Sequence, residues 1–276
     1  MKKNILITIL LCTLGFALNA QTKISADAEQ YLSKFFSFRV ELTQYQNDKA
    51  KAIAELNKFR VNNSYDNFST QEKLIIESFL LSEDYNYMYD DKSNDAAMKK
   101  KLSTQIDNCE AYMKANKGNL SEWFYLGMSD CLSCFMGYSP VSGAIKYGMK
   151  VKEYYEAALA INPKNSMTLT HYAQWFYWAP VINGGGKKKT KTHLESALAC
   201  ATTDADKFYA NVYYSQICFD LGDKTAAKTY LEKAKALYPK SEFITELENA
   251  NAVVFQFLKV IKKEQKQQSE WTKLNI

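Results

Sequence analysis

Three segments of this 276-residue chain end alike, and that recurrence limits the fold more than any other feature. EYYEAALAINPKN runs through Ala158, THLESALACATTD through Ala197 and TYLEKAKALYPKS through Ala234, so the key alanines stand 39 and 37 residues apart. A period of this size suits a helical hairpin in which a small alanine lets neighbouring helices approach closely. Each hairpin then buries its apolar stripe against the next, and stability comes from stacking rather than from one central core. The ten glycines and four prolines agree, because an all-β chain of this length needs many more turns. Pro163 and Pro239 follow second helices, while Pro140 and Pro180 follow first helices, so none interrupts a predicted helix.

The last repeat fits the tetratricopeptide (TPR) pattern position by position. Tyr214, Ser215 and Cys218 lie on its first helix, Gly222 makes the turn, and Ala227, Leu231 and Ala234 form the inner face of the second, which Pro239 ends. The preceding hairpin supplies Tyr172, Ala173, Phe176, Leu194 and Ala197, and the one before it Trp123, Leu126, Gly127, Tyr155, Ala158 and Pro163. A weaker hairpin carries Leu81, Ser82, Tyr85, Asn108 and Ala111. From Trp123 to Ser241 the chain thus resembles the tetratricopeptide repeat superfamily. The expected architecture is all-α, a TPR-like right-handed solenoid of stacked helical hairpins. About four repeats fill 71–240, with turn-lengthening inserts at 137–150 and 179–189. An N-terminal helical hairpin occupies 21–70, built on Ala26 to Leu42 and Asp48 to Arg60. A C-terminal capping helix begins after Ser241 and leads into a basic tail at 241–276.

The two inserts carry a narrower resemblance. SPVSGAIKYGMKVKEYYEAAL from Ser139 and WFYWAPVINGGGKKKTKTHLESAL from Trp175, with Pro180, Gly184, Gly185 and Gly186 in an APxxxGGG element, look like exported TPR proteins similar to the T-component of tripartite ATP-independent periplasmic (TRAP) transporters. That resemblance implies a non-enzymatic protein of the bacterial envelope working beside a periplasmic solute-binding protein. The sequence departs from it in one respect: such proteins are often lipoproteins, and Leu11 stands before Cys12 where a lipidation box needs a small residue.

Residues 1–20 read as a cleaved secretory signal peptide, with Lys2 and Lys3, the apolar stretch Ile5 to Leu18 and a cleavage point after Ala20. Export to the periplasm or beyond is therefore expected, with no transmembrane helix in the mature chain, since later apolar stretches are too short to span. Cleavage lowers the net charge from +5 to about +3, by loss of two lysines. Only Arg39 and Arg60 are arginines, which argues against nucleic acid, whose phosphates favour the guanidinium fork. The densest basic run, Lys187, Lys188, Lys189 and Lys191, reads as a solvated loop and first helical turn. Gly184 to Gly186 do not form a Walker loop, because Lys188 stands where Ser or Thr is required and the preceding segment is helical. They read instead as a turn needing positive φ.

Little supports catalysis. His171 and His193 lie 22 residues apart with no metal-ligand spacing, no nucleophile elbow is present, and no cofactor is expected. Cys131 and Cys134 form a C-x-x-C inside a predicted helix, which leaves separate buried thiols and a local disulfide as alternatives in an oxidising compartment. Binding is better supported. Counting along the first helices projects Phe79, Glu83 and Tyr87, then Phe124, Met128 and Leu132, then Thr170, Gln174, Tyr177 and Trp178, then Val212, Gln216 and Phe219 into a concave groove. Apart from Glu83 this lining is uncharged, so it suits an apolar ligand, an apolar peptide or a partner helix, unless the aromatics pack against other parts of the chain. The alternative function is an envelope enzyme acting on cell-wall or glycan material through acidic residues in the inserts, such as Glu153 and Glu156.

Overall fold

The computed structural model describes residues 23–89 and 92–252, and the signal peptide and the basic tail expected from the sequence lie outside them. The described residues are helical throughout: α1 (Ala26–Leu42), α2 (Lys49–Asn62), α3 (Thr70–Met88), α4 (Asp95–Ala115), α5 (Glu122–Gly137), α6 (Pro140–Ile161), α7 (Ser166–Trp178), α8 (Lys187–Cys200), α9 (Asp204–Asp220), α10 (Lys224–Leu237) and α11 (Glu242–Ala252), with short 3-10 turns at Thr43–Tyr45 and Val181–Asn183. Side chains mark the helix starts. Ser25, Ser69, Ser121, Asn165 and Thr203 each accept a hydrogen bond from a first-turn backbone N–H of α1, α3, α5, α7 and α9, satisfying a donor that has no partner within the helix. At the far end of α9, Gly222 turns the chain at φ 92°, a left-handed conformation that costs glycine nothing, and Asp223 N–H closes the turn on the Cys218 carbonyl.

Successive helices pair as α5 with α6, α7 with α8 and α9 with α10, while α3 packs on both α4 and α5. The recurrent alanines explain the spacing: Ala158, Ala197 and Ala234 are all completely buried, so no side chain holds the neighbouring helix away. Polar clamps join one hairpin to the next. Gln71 of α3 donates to the Asn119 carbonyl and accepts from Ser121 N–H, the N-cap of α5, at 2.7 Å.

The first insert differs from its expected form. It does not lengthen a turn, because only Tyr138 and Ser139 separate α5 from α6; the segment from Pro140 onward is the start of a 22-residue helix. Proline stands at the first helical position, where its missing N–H is no loss and its fixed φ is already helical. The same ring that stops a helix from the C-terminal side here begins one.

The ends of the described chain meet. Helix α11 packs on α10 and on the 3-10 turn after α1. Asn47 N–H donates to Glu242 at 3.0 Å, and the Tyr238 hydroxyl donates to the Glu41 carbonyl.

Glu72 also ties distant segments together. Its carboxylate completes the capping box of α3 and accepts from Ser25 N–H at 2.6 Å, across 47 residues. Burial alone would raise its pKa, but the Ser25 and Ser69 hydrogen bonds outweigh that and hold it down at about 2. A carboxylate depressed in the folded state contributes stability that is fully present above its ordinary value of 4.5 and is lost as pH falls from there toward 2. Glu72→Gln should therefore lose on the order of 2 kcal/mol at pH 6 and show a shallower loss of stability between pH 5 and pH 3 than the wild type, measured by urea unfolding.

Candidate functional site

Several of the residues that the sequence assigns to a ligand groove are packed against the chain itself. Helix α1 packs on α3 and reaches across to α9. Phe35 and Phe36 lie 6.2 and 5.1 Å from Phe79, and Phe36 also meets Trp123 at 5.5 Å. Of the expected groove residues, Phe79, Tyr87, Phe124, Met128, Leu132, Thr170, Tyr177, Val212, Gln216 and Phe219 are buried, and Gln174 and Trp178 are half-buried. They do not line one continuous surface. Phe124 turns away toward Tyr112 of α4, at 5.8 Å. Tyr177 and Phe219 belong to a separate cluster with Ala173, Leu194, Ile217 and Ala227, shared by α7, α8, α9 and α10. Trp178 stands edge-on to Tyr177.

The residues that organise this face are polar. Arg39 of α1 donates from Nε to Glu83 Oε2 at 2.8 Å, with only 11% and 4% of the two side chains exposed, and Asn86 donates to the same oxygen. The Arg39 guanidinium also lies 5.3 Å from the Tyr209 ring of α9. Burial opposes its charge most strongly, but Glu83 together with Tyr209, Asp130 and Tyr213 outweighs burial and holds it firmly protonated. One residue on, Arg60 of α2 grips Asp84 with two parallel bonds, at 3.0 and 2.7 Å, and donates to the Leu80 carbonyl. The chain's two arginines therefore fasten the N-terminal hairpin to adjacent acids of α3. Further along, Asp130 of α5 accepts from the Tyr155 hydroxyl and bonds His171 Nδ1 at 2.8 Å, linking α5, α6 and α7. Arginine scarcity was the available signal for this arrangement, since two cations suited to buried pairing in a lysine-rich chain ask for specific partners.

The remaining chemistry-bearing residues have structural places. His193 stacks on Phe176 at 4.5 Å, and burial and then Lys189 lower its pKa. Cys131 and Cys134 are separate thiols on α5, so the disulfide alternative is not realised; Cys131 Sγ reaches the Ser78 carbonyl, and burial pushes both pKa values up. Glu156 is held by Lys152 and the Tyr172 hydroxyl. Among the described residues no group of three or more His, Cys, Asp and Glu could hold a metal ion. An open cleft of about 420 Å³ between α1 and α2 is lined by Lys34, Phe38, Glu41, Phe59, Asn63 and two serines.

The inserts form a different surface. Val141, Ile145 and Met149 recur every four residues along α6 and stand exposed, and Val181 and Ile182 on the loop after α7 are 82% and 93% exposed. With Leu221 in the α9–α10 turn, these are six of the seven large apolar side chains exposed among the described residues; Val61 on α2 is the other. Two contacts tie together the segments that carry them. Trp175 Nε1 donates to the Gly148 carbonyl at 2.8 Å, joining α7 to α6, and Lys187 at the start of α8 pairs with Asp220 at the end of α9 at 2.5 Å. The glycines set the loop's path. Gly184 adopts φ 90°, and a Cβ on Gly185 would overlap the Ala179 carbonyl, so only glycine permits the chain to fold back this tightly. Gly186 N–H then donates to the Phe176 carbonyl at 2.8 Å, fixing the loop to the end of α7.

Comparison with known proteins supplies no identity: no family model matches the chain, and no curated protein matches it significantly.

The Arg39–Glu83 pair gives a direct test of the closed face. Arg39→Met removes one partner from a buried pair and should cost about 3–5 kcal/mol in urea unfolding. Arg39→Met with Glu83→Leu removes the stranded carboxylate as well and should recover at least half of that loss.

Proposed function

We propose that this chain is an exported, non-enzymatic TPR-like module of right-handed stacked hairpins that acts by binding, and that its contact surface is the end formed by the two inserts rather than the concave groove. One observation carries the reading: the exposed large apolar side chains fall mainly on the two inserts and the neighbouring α9–α10 turn, while the aromatics expected in the groove are packed against other parts of the chain. Water-exposed apolar side chains grouped on one surface are the usual mark of a contact site. The loop that carries Val181 and Ile182 is held by backbone hydrogen bonds, so the surface is formed before its occupant arrives and little ordering cost attends binding. The occupant is a protein partner or apolar material of the envelope. The APxxxGGG element supports a place beside an envelope solute-transport system, with a periplasmic solute-binding protein as the partner class, because its glycines shape this same tip.

The described helices add no membrane span, as none is long and apolar enough to cross a bilayer. A photo-reactive residue placed at Ile182 should yield a cross-linked adduct in intact cells, whereas the same residue at Val61, also well exposed on α2, should not. Absence of an adduct from Ile182, or equal labelling from both positions, would overturn the assignment of the contact surface.

A further inference from the structure

Resting on the reading that the insert end is the contact surface, we infer that its occupant is an anionic lipid bilayer, against which Val141, Ile145, Met149, Val181, Ile182 and Leu221 dip while neighbouring lysines meet the headgroups. Charge and placement argue for this occupant. From Tyr138 to Lys152 and from Pro163 to Leu194 the sequence contains no aspartate or glutamate, and it places Lys146, Lys150, Lys152, Lys164, Lys187, Lys188, Lys189 and Lys191 there. Several of these are neutralised by the fold: Lys150 pairs with Glu110, Lys152 with Glu156, Lys187 with Asp220, and Lys191 with Glu195 at 3.9 Å. Lys146, Lys188 and Lys189 stand exposed beside the apolar residues. Lys189 bonds the Gly184 carbonyl, which holds its ammonium at the tip of the loop. Asp223 is the exposed acid in the α9–α10 turn, and it caps α10 by accepting from Ala226 N–H.

Two details separate this surface from an ordinary protein interface. Lys187 to Lys189 open helix α8, where the positive end of the helix dipole disfavours cations, so the fold accepts an unfavourable local arrangement that an anionic surface would relieve. The surface also lacks arginine, and its exposed large apolar members include no aromatic, whereas the centres of protein interfaces favour aromatic and arginine anchors. Aliphatic side chains at protruding tips with lysines behind them match the demands of a bilayer interface, in which apolar groups enter the acyl boundary and cations remain at the phosphates.

Flotation with liposomes tests the inference on the chain from Gln21 to Ile276. Wild type should bind vesicles containing roughly one-third phosphatidylglycerol and should not bind pure phosphatidylcholine vesicles, with binding falling as salt rises from about 0.1 M to about 0.5 M. Ile145→Asp with Ile182→Asp, and separately Lys146→Glu with Lys188→Glu, should each weaken binding at least about tenfold without changing the circular dichroism spectrum or thermal midpoint, and Val61→Asp should leave binding unchanged. Failure of wild type to bind anionic vesicles, equal binding to both vesicle types, or unchanged binding by the isoleucine variant would overturn the lipid assignment. If Ile182 cross-links a protein in cells while vesicles are not bound, the contact surface stands and the lipid inference falls. If wild type self-associates through the same isoleucines without binding vesicles, the occupant is a second copy of the chain. If Ile182 yields no adduct and vesicles are not bound, both readings fall.

Discussion

The ion pair between Arg39 and Glu83 is the contact on which the arrangement of the molecule turns, because it seats α1 against α3 while α9 packs on α1 as well. A guanidinium with 11% of its side chain exposed is stable there only with a carboxylate to meet it, and Glu83 is in reach only when α1 lies against α3. Tyr209 on the other side of the guanidinium brings in α9, so one side chain spans elements 170 residues apart. The Arg60–Asp84 fork fixes α2 to the next position of α3, and the contacts of α11 with the turn after α1 bring the C-terminal helix to the same place. The N-terminal and C-terminal helices are thereby packed into one body with the hairpins between them.

That closure moves the functional question. An apolar inner groove is the obvious binding surface on a helical repeat protein, and here Phe35 and Phe36 already fill the space beside Phe79 and Trp123. What remains available is the end where the first and second helices of the hairpins join. The apolar side chains there are not remnants of an incompletely covered core, since Val181 and Ile182 project almost fully into solvent from a loop whose path three glycines fix. An apolar, lysine-bearing tip and a covered inner face are consistent features of a module that docks by its edge.

Much of the helical plan was legible in the sequence because it rests on local rules. The alanine period marked the second helices, Ser241 precedes and caps α11, and Gly222 falls at a turn, all short-range consequences of hydrogen bonding and sterics. The location of α1 was not legible. Its apolar stripe of Tyr31, Phe35 and Phe36 declares that it must be buried but not against what, and nothing local distinguishes an outer hairpin from one that returns into the concave face. The groove residues were misplaced for the same reason: counting positions selects which side chains point inward, but it cannot show that Phe124 faces α4 or that another helix covers Phe79. Pro140 misled because proline ends one helix and begins another with equal ease, and the helical segment from Val141 to Met149 gives the exposed stripe its four-residue repeat. Of the candidate surface, the glycines and lysines were visible, but their grouping with Ile145 and Leu221 depends on contacts between separate hairpins.

Helix α1 is part of the cooperative core rather than a removable cover, and native-state hydrogen exchange tests this directly. The backbone amides in the middle of α1, from Leu32 to Val40, should exchange only through global unfolding, with the same free energy and the same denaturant dependence as those of α5 and α9. Exchange of α1 through a low-energy opening that leaves α5 and α9 protected would contradict it, and would return the concave face to the position of a binding groove.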